Sequence, residues 1–252
     1  EALEVDPELV EFLLYARQMY TTTDGKMNVM LGSVLRLWHD CREAAAQDPQ
    51  NARIPTQAAL EQAAAHTDLD SLEIAPERCT VRISDPLASL DVGALAKGYA
   101  TERAAEALRA AGAEGYVLNI GGNIRIIGCK PDGGSWTTGI KDPQDPEQYA
   151  AKVALADTSC VTSGNYERYF TVNGVRYHHI IDPETGMPAD YFASVTVITP
   201  DSGLADTLST ALFCMSYDQG LALVREQGDV QVLWILPDGT QYKTPELTLL
   251  AS

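Results

Sequence analysis

The chain has 252 residues, 45% of them hydrophobic, and its 35 acidic against 18 basic residues give a formal net charge of −17 at pH 7. This charge argues against nucleic acid or an anionic membrane surface as a partner, since both would repel the chain. The length and the hydrophobic content suffice for one domain with a sizeable core, or for two intimately packed ones.

Hydrophobic periodicity predicts the regular elements in chain order. Helices are expected at about 7–20, 56–66, 94–111 and 204–226, and strands near 79–84, 116–127, 136–141, 168–181, 193–199 and 230–236. The segment from Cys41 to Pro55 is interpreted as a solvated loop. Strands and helices mixed in this order predict an α+β fold, with a mixed or antiparallel sheet as its core and helices on its flanks.

Lys97 and the dipeptide Gly121-Gly122, in the middle of the chain, are candidates for contact with a ligand. Lys97 lies near the start of a predicted helix, where it opposes the helix dipole, so its position calls for an anionic ligand or the nearby Asp91. Gly121 and Gly122 separate two predicted strands. They are expected either to form a hairpin turn or to let a ligand lie against the backbone. The pattern is not GxGxxG and opens no helix, which excludes a dinucleotide-binding βαβ unit.

A cluster of turn-forming residues follows at Thr162, Ser163, Gly164 and Asn165. Such residues bend the chain and direct hydroxyl and amide groups outward, so the cluster is predicted to be a loop. Most clusters of this composition are surface turns, and a contact with a polar ligand is the alternative.

The dipeptide Asn173-Gly174 between β-rich runs predicts a hairpin, and a strand from about Val175 to Ile181 should follow it. Because side chains alternate along a strand, His178 and His179 are expected on opposite faces. One could be solvated and the other a half-buried histidine without a catalytic role. The tight turn that begins at Asp182 would instead hold His179 near a polar edge, which favours a functional role for it.

Asp206 and Thr210 are spaced i, i+4 on the last predicted helix, so their oxygen atoms should lie on one helical face. A carboxylate beside a hydroxyl is a pair of hard oxygen ligands of the kind that Mg²⁺ accepts, with waters and a phosphate completing its shell. The alternative is that Asp206 is a helix cap or a partner of the helix dipole.

Several motifs taken together resemble the ApbE family, the FAD:protein FMN transferases. They are DVGALAKGY, NIGGNIRIIG, W-x-x-GI-x-DP at Trp136 to Pro143, TSGNYERY, HHIIDPETG and ADTLSTALF. The resemblance spans roughly Val5 to Val232 and follows the order of motifs in the family. It implies that the chain cleaves FAD with Mg²⁺, releases AMP and attaches FMN by a phosphoester to a Ser or Thr hydroxyl of an acceptor redox protein.

The resemblance also implies roles for individual residues. Asp206, Thr210 and the backbone carbonyl of Ala94 would bind the metal, and His179 would be catalytic. Asp91, Lys97 and Ile180 would contact FAD. The residues themselves add Gly121, Gly122, Trp38 and Ser163 as candidate FAD contacts. For Trp38, core packing is the favoured interpretation and a flavin contact the alternative.

Two departures from the family pattern affect the expected affinity for FAD. Where the family tends to have Gly-x-Phe-Asp, this chain has Gly25-Lys26-Met27-Asn28, which lacks the aromatic ring and the carboxylate. The family usually begins with a strand, a helix and a segment that helps to hold the flavin, whereas this chain opens at a later helix. We therefore expect a single ApbE-like domain over residues 1–252 that is incomplete at its N-terminus and binds FAD more weakly than an extended version.

Two other functions would use many of the same residues. A pyrophosphatase would split FAD into FMN and AMP with water in place of the acceptor hydroxyl, and a non-catalytic flavin-binding module would need no metal ligands. The five cysteines form no C-x-x-C pair, so neither a zinc site nor a disulfide framework is predicted. Many family members are exported and lipid-anchored, but no signal peptide or anchor is visible in this chain, so its compartment is left open.

Overall fold

The computed structural model describes residues 1–145 and 147–251. In this part of the chain the α-helices are α1 (Pro7–Thr22), α2 (Gly32–Gln47), α3 (Gln57–Ala64), α4 (Ala96–Ala110), α5 (Ser202–Phe213) and α6 (Tyr217–Gln227). The strands are β1 (Leu3–Glu4), β2 (Leu72–Ala75), β3 (Thr80–Ile83), β4 (Tyr116–Ile120), β5 (Asn123–Ile127), β6 (Trp136–Lys141), β7 (Tyr149–Leu155), β8 (Ser159–Gly164), β9 (Tyr169–Val172), β10 (Val175–His178), β11 (Ser194–Thr199), β12 (Gln231–Ile235) and β13 (Gln241–Lys243). They form two compact units, Glu1–Val92 with Glu167–Ala189, and Gly93–Tyr166 with Asp190–Ser252.

The first unit contains helices α1 to α3, a small antiparallel sheet in the order β1-β3-β2, and the hairpin of β9 and β10. α1 begins where the Asp6 side chain accepts a hydrogen bond from the Glu8 amide at 2.8 Å and proline occupies the first helical position. The predicted Asn173-Gly174 turn joins β9 to β10 and is confirmed. The core that joins α2, α3 and the hairpin consists of Leu31, Val34, Trp38, Ala45, Leu60, Ala63, Phe170 and Ile181.

The second unit is built on a sheet with the strand order β13-β12-β11-β8-β5-β4, in which the paired strands are antiparallel. α5 lies against β8 and β11 on one face of this sheet and also contacts α4. Both apolar and polar residues on nearly every side of α5 are buried, as expected for a helix enclosed by a sheet and another helix. A second core includes Ile126, Ile140, Val153, Leu155, Cys160, Ile198, Leu233, Ile235 and Leu247, so β6 and β7 pack into it as well.

The antiparallel sheets and their flanking helices agree with the predicted α+β fold, but some of the predicted elements are wrong. The segment from Cys41 to Pro55 is not a loop throughout, because α2 continues to Gln47 through the run REAAAQ, whose residues have high helix propensity. The single helix predicted over 204–226 is two helices, since Ser216 starts α6 with a capping box to Gln219.

The third correction concerns the predicted turn at Thr162, Ser163 and Gly164, which belongs to strand β8 in the middle of the large sheet. Thr162 lies opposite Thr196 of β11, and their hydroxyl oxygens are 2.8 Å apart. Cross-strand hydroxyl pairs of this kind satisfy polar side chains inside a sheet, so a Ser- and Thr-rich segment can be a central strand. Among the described helices, none combines the length and the apolar composition needed to cross a bilayer.

Candidate functional site

Asp206 lies in the second turn of α5 and is only 3% exposed. The helix is started by Asp201, whose side chain accepts a hydrogen bond from the Leu204 amide at 2.6 Å. Thus Asp201 is the cap of this helix, and the cap interpretation does not apply to Asp206. Lys97 Nζ lies 3.4 Å from Asp206 Oδ1, and its own side chain is 41% exposed. The carboxylate is therefore held in the interior beside a cation that still reaches solvent.

The other oxygen of Asp206 fixes the start of α4. The backbone N–H of Gly98 donates to Asp206 Oδ2 at 2.8 Å. Gly98 is the third residue of α4, and the first N–H groups of a helix have no carbonyl partner within the helix. Asp206 therefore satisfies one of the free N–H groups at the start of α4, while metal binding by the Ala94 carbonyl stays a prediction.

Thr210 lies one turn after Asp206 and is linked to a chain of hydroxyl groups. Its Oγ1 is 3.2 Å from Ser163 Oγ of β8, and Ser163 Oγ is 2.9 Å from Ser209 Oγ. Ser209 Oγ in turn donates to the backbone oxygen of Asp206 at 3.0 Å. The structure thus brings the predicted residues Ser163 and Thr210 together, and it adds Ser209, which the sequence did not indicate.

Asn123, at the start of β5, is fully buried near Asp206. Ser202 Oγ donates to Asn123 Oδ1 at 2.6 Å, while Asn123 Nδ2 finds no hydrogen-bond acceptor at good geometry among the described residues. Burial raises the pKa of Asp206, whereas Lys97, the Gly98 amide and the Asn123 side chain all act to lower it and offset only part of that effect. A buried carboxylate whose charge is only partly compensated is a site where a cation would be favoured.

The predicted donor set fits Mg²⁺ better than a softer metal. It consists of one carboxylate at Asp206, the hydroxyl of Thr210 and the carbonyl of Ala94, which are all hard oxygen donors. No cluster of three or more His, Cys, Asp or Glu side chains suited to a metal occurs among residues 1–145 and 147–251. A metal bound here would therefore depend on water and on ligand phosphate oxygens for the rest of its coordination.

Gly121 and Gly122 form the turn between β4 and β5, with φ values of 59° and 88°. These values lie in the left-handed region, where glycine is favoured. No heavy atom lies within 4 Å of a Cβ placed at either position. The backbone conformation of the hairpin therefore accounts for both glycines, and the predicted contact with a ligand stays a prediction.

In the first unit, His178 is buried and its tautomer follows from its partners. The Ile180 amide donates to Nδ1 at 3.2 Å, so Nε2 carries the proton and donates to the carbonyl of Ala189 at 2.8 Å. Burial lowers the pKa of His178, and the charge of Arg176 adds to this effect. His178 is therefore neutral, and its hydrogen bond to the Ala189 carbonyl joins the two ends of the loop that runs from His178 to Ala189.

His179 differs from its neighbour in having one ring nitrogen available. Nδ1 lies 3.2 Å from the carbonyl oxygen of Arg168, which can only accept, so Nδ1 carries the proton and Nε2 keeps its lone pair. Burial lowers the pKa of His179 to about 3, and the charge of Arg168 acts in the same direction. The ring of His179 is therefore neutral at physiological pH.

The strand that carries the histidines is shorter than predicted. β10 ends at His178 instead of continuing to Ile181, because the Ile180 amide turns back onto the His178 ring. Alternation along a strand therefore does not separate the two side chains, and both line one small cavity with Trp38. Their different hydrogen bonds, and not their faces, give them different chemistry.

Trp38 lies in the core of the first unit and is 4% exposed. Its Nε1 donates to the carbonyl of Gly186 at 2.8 Å, and its ring stacks on Tyr177 with centroids 5.8 Å apart. This is the core packing that the sequence favoured. A flavin contact of Trp38 has no support from this geometry.

The two remaining predicted FAD contacts, Asp91 and Ile180, also lie in the first unit. Asp91 is exposed and its amide donates to the carbonyl of Val29 at 2.8 Å. Ile180 is buried, and its carbonyl accepts from the Ala189 amide at 3.0 Å. An exposed carboxylate and a backbone segment of fixed geometry are both compatible with ligand contacts, which stay predictions.

The sequence did not predict a role in the site for Lys26 or Gly98. Lys26 makes a buried ion pair with Asp182, which is 156 residues away and leaves no local signal. Gly98 did have a signal, since glycine inside a helix costs about 1 kcal/mol relative to alanine and therefore indicates a close approach of another element.

Comparisons with known proteins support one family along most of the chain. The family model described as the ApbE family matches residues 1–234. An FAD:protein FMN transferase of Treponema pallidum is 36% identical over 251 residues, which cover 93% of this chain and 67% of the relative. One from Haemophilus influenzae is 33% identical over 237 residues, with the same coverage of 93% and 67%.

Solved structures give the same result for the fold. The ApbE protein of Thermotoga maritima matches with a TM-score of 0.86 and 34% identity, over 97% of this chain and 78% of that chain. The flavinyl transferase ApbE of Pseudomonas stutzeri in its apo form matches with a TM-score of 0.79 and 28% identity, over 97% of this chain and 75% of that chain. These similarities confirm the predicted α+β architecture.

Proposed function

Because the chain belongs to the ApbE family, as its motifs predicted, we propose that it is an Mg²⁺-dependent FAD:protein FMN transferase. The acceptor is a Ser or Thr hydroxyl of a redox protein, and AMP is the leaving group. The observation that carries this proposal is the Gly98–Asp206 hydrogen bond, which orients a buried carboxylate beside Lys97.

The reaction is a displacement at phosphorus. The acceptor hydroxyl oxygen forms a bond to the phosphorus of the FMN half of FAD, and the bond from this phosphorus to the bridging pyrophosphate oxygen breaks. The electron pair of that bond leaves with AMP, and the hydroxyl proton passes to a base. Such reactions are accelerated mainly by positioning and by charge stabilisation.

Asp206, Thr210 and the Ala94 carbonyl would hold Mg²⁺, which supplies neutralisation of the negative charge that builds up on the leaving group. Lys97 has a long contact of 3.4 Å to Asp206 and an accessible side chain, so it can turn towards a phosphate oxygen. These positive groups offset the unfavourable field that a chain of net charge −17 exerts on an anionic substrate.

His179 is the base that we propose for the hydroxyl proton. Its Nδ1–H is directed at the Arg168 carbonyl, so Nε2 is the atom that accepts the proton. The lowered pKa keeps the ring neutral at physiological pH, although it also makes His179 a weaker base than an ordinary histidine. A neutral ring with a fixed tautomer can orient the acceptor hydroxyl and receive its proton as the P–O bond forms.

The experiment that tests this proposal combines the chain with FAD, Mg²⁺ and a library of Ser- and Thr-containing peptides, beside a matched library with Ala at those positions. We expect FMN phosphoesters on the hydroxyl peptides alone, AMP in equal amount, and no reaction in EDTA. Free FMN with AMP and unmodified peptides would identify a pyrophosphatase. FAD binding without any turnover would identify a flavin-binding module.

A further inference from the structure

Lys26 lies in a rigid turn directly after α1. Thr23 is fully buried, and its Oγ1 donates to the Met19 carbonyl at 2.8 Å and accepts from the Met27 amide at 2.9 Å. The Lys26 amide itself donates to the Thr23 carbonyl at 3.1 Å. The backbone from which the lysine side chain extends is therefore fixed on both sides.

The ammonium group of Lys26 is buried against two carboxylates. Nζ lies 2.9 Å from Asp182 Oδ1 and 3.0 Å from Glu184 Oε1, and the side chains of Lys26 and Asp182 are only 7% and 6% exposed. Burial opposes the charge of Lys26, but the hydrogen bonds and charges of both carboxylates outweigh it and raise the pKa of the lysine. Lys26 and Asp182 thus form an ion pair inside the protein.

Asp182 is the centre of the loop that follows His179. Its amide donates to the Met187 carbonyl at 2.9 Å and its carbonyl accepts from the Gly186 amide at 2.8 Å. Its Oδ1, which binds Lys26, also accepts from the Glu184 amide at 3.1 Å. Asp182 therefore links Lys26, which lies outside the loop, to the hydrogen bonds within the loop.

This loop is continuous with the backbone of the proposed base. Two residues before Asp182, the Ile180 carbonyl accepts from the Ala189 amide, and the Ile180 amide donates to the His178 ring. A shift of Asp182 would therefore be passed through Ile180 to His179. The burial of the Lys26–Asp182 pair does not by itself indicate that the pair stabilises the fold. Apolar residues of similar volume often stabilise a protein as well as a buried ion pair does, or better.

We infer that Lys26 is a positioning residue for the transfer reaction, since its buried pair with Asp182 fixes the loop whose first residues carry His179. This inference rests on the proposed function and deepens it. Lys26 touches neither the reacting atoms nor the metal ligands in this account. Its effect should therefore appear in the rate of the chemical step, and neither in folding nor in FAD binding.

The test replaces the pair by apolar residues in Lys26→Met/Asp182→Leu and measures Tm, kcat and the KM for FAD with Mg²⁺ and the hydroxyl peptide library. We expect a Tm close to that of the wild type and an unchanged KM, with kcat reduced about tenfold or more, because displacements of about 1 Å have effects of this size. Arg82→Gln breaks the exposed Arg82–Glu73 pair of the same unit and is the matched control, expected to leave all three quantities unchanged.

Lys26→Met/Asp182→Asn is the second variant, because Asn keeps an oxygen that can accept from the Glu184 amide. Wild-type kcat in either folded double variant would overturn the inference. Failure of both variants to fold would make the pair a requirement of the fold and would also overturn it. An inactive wild type would instead contradict the proposed function, so the two failures can be told apart.

Discussion

The backbone of Gly98 lies in direct contact with the side chain of Asp206. The Gly98 amide donates to Asp206 Oδ2 at 2.8 Å, and a Cβ atom at position 98 would lie 2.4 Å from the Cβ of Asp206 and 2.5 Å from the carbonyl oxygen of Ser202. Real Cβ atoms do not come so close to their neighbours. The absence of a side chain at position 98 is thus what allows α4 to approach α5 closely enough to orient the carboxylate.

Gly98→Ala should therefore separate α4 from α5 and weaken Mg²⁺ binding. We expect a loss of about 1–3 kcal/mol in the free energy of unfolding, the range for overpacking a close contact. Urea unfolding and calorimetric Mg²⁺ titration measure the two effects. Gly134→Ala is the control, since its new Cβ would meet only the side chain of Asp132. A Gly98→Ala variant with wild-type stability and Mg²⁺ affinity would contradict this role.

The two adjacent histidines should respond differently to substitution. His179→Ala is expected to lower FMN transfer about 10²-fold or more, the usual size of acid–base assistance, with little change in stability. His178→Gln should instead destabilise the protein by about 1–3 kcal/mol, because the Ile180 amide and the Ala189 carbonyl lose well-placed partners. Equal effects of both substitutions on rate and stability would show that the assignment of their roles is wrong.

Acid should destabilise the protein through these same histidines. Both have lowered pKa values when folded, while the unfolded pKa of histidine is about 6.5. Below that pH the unfolded chain takes up protons that the folded chain refuses, so the free energy of unfolding falls as the pH falls. Chemical unfolding between pH 7 and pH 4 should show a shallower decline in His178→Gln than in wild type. An equal decline in His178→Gln and in wild type would contradict this account of the acid sensitivity.

Substitution of Trp38 distinguishes a role in core packing from a role in flavin binding. Trp38→Phe should lower the free energy of unfolding by about 1–3 kcal/mol, since the Gly186 carbonyl loses its buried donor. The affinity for FAD, measured by calorimetry, should not change. Trp136→Phe is a matched control because the Trp136 Nε1 has no acceptor among the described residues, so no hydrogen bond is lost. A marked loss of FAD affinity in folded Trp38→Phe would favour the flavin contact.

Local patterns explain the parts of the fold and site that could be predicted from sequence. The Asn173-Gly174 turn and the i, i+4 spacing of Asp206 and Thr210 depend on neighbours within a few residues, and both occur in the structure. The polar composition around Ser163 was misleading, because β8 is enclosed by β5 and β11, which come from distant parts of the sequence.

The relationships that organise the site could not be predicted because they are not local. Gly98 and Asp206 are 108 residues apart, and Lys26 and Asp182 are 156 residues apart. The free nitrogen of His179 likewise depends on the Arg168 carbonyl across the hairpin and not on the periodicity of its own strand. The residue types were therefore visible in the sequence, whereas their orientation required the tertiary structure.

The most direct test of the proposed function is the mass of a hydroxyl peptide after incubation with FAD and Mg²⁺, compared between wild type and Asp206→Asn. Asn can still accept from the Gly98 amide, so the fold should survive while the charged metal ligand is lost. We predict that the peptide gains an FMN phosphoester with wild type and stays unmodified with Asp206→Asn. Equal FMN transfer by both proteins, each with a normal circular dichroism spectrum, would contradict the metal-assisted mechanism centred on Asp206.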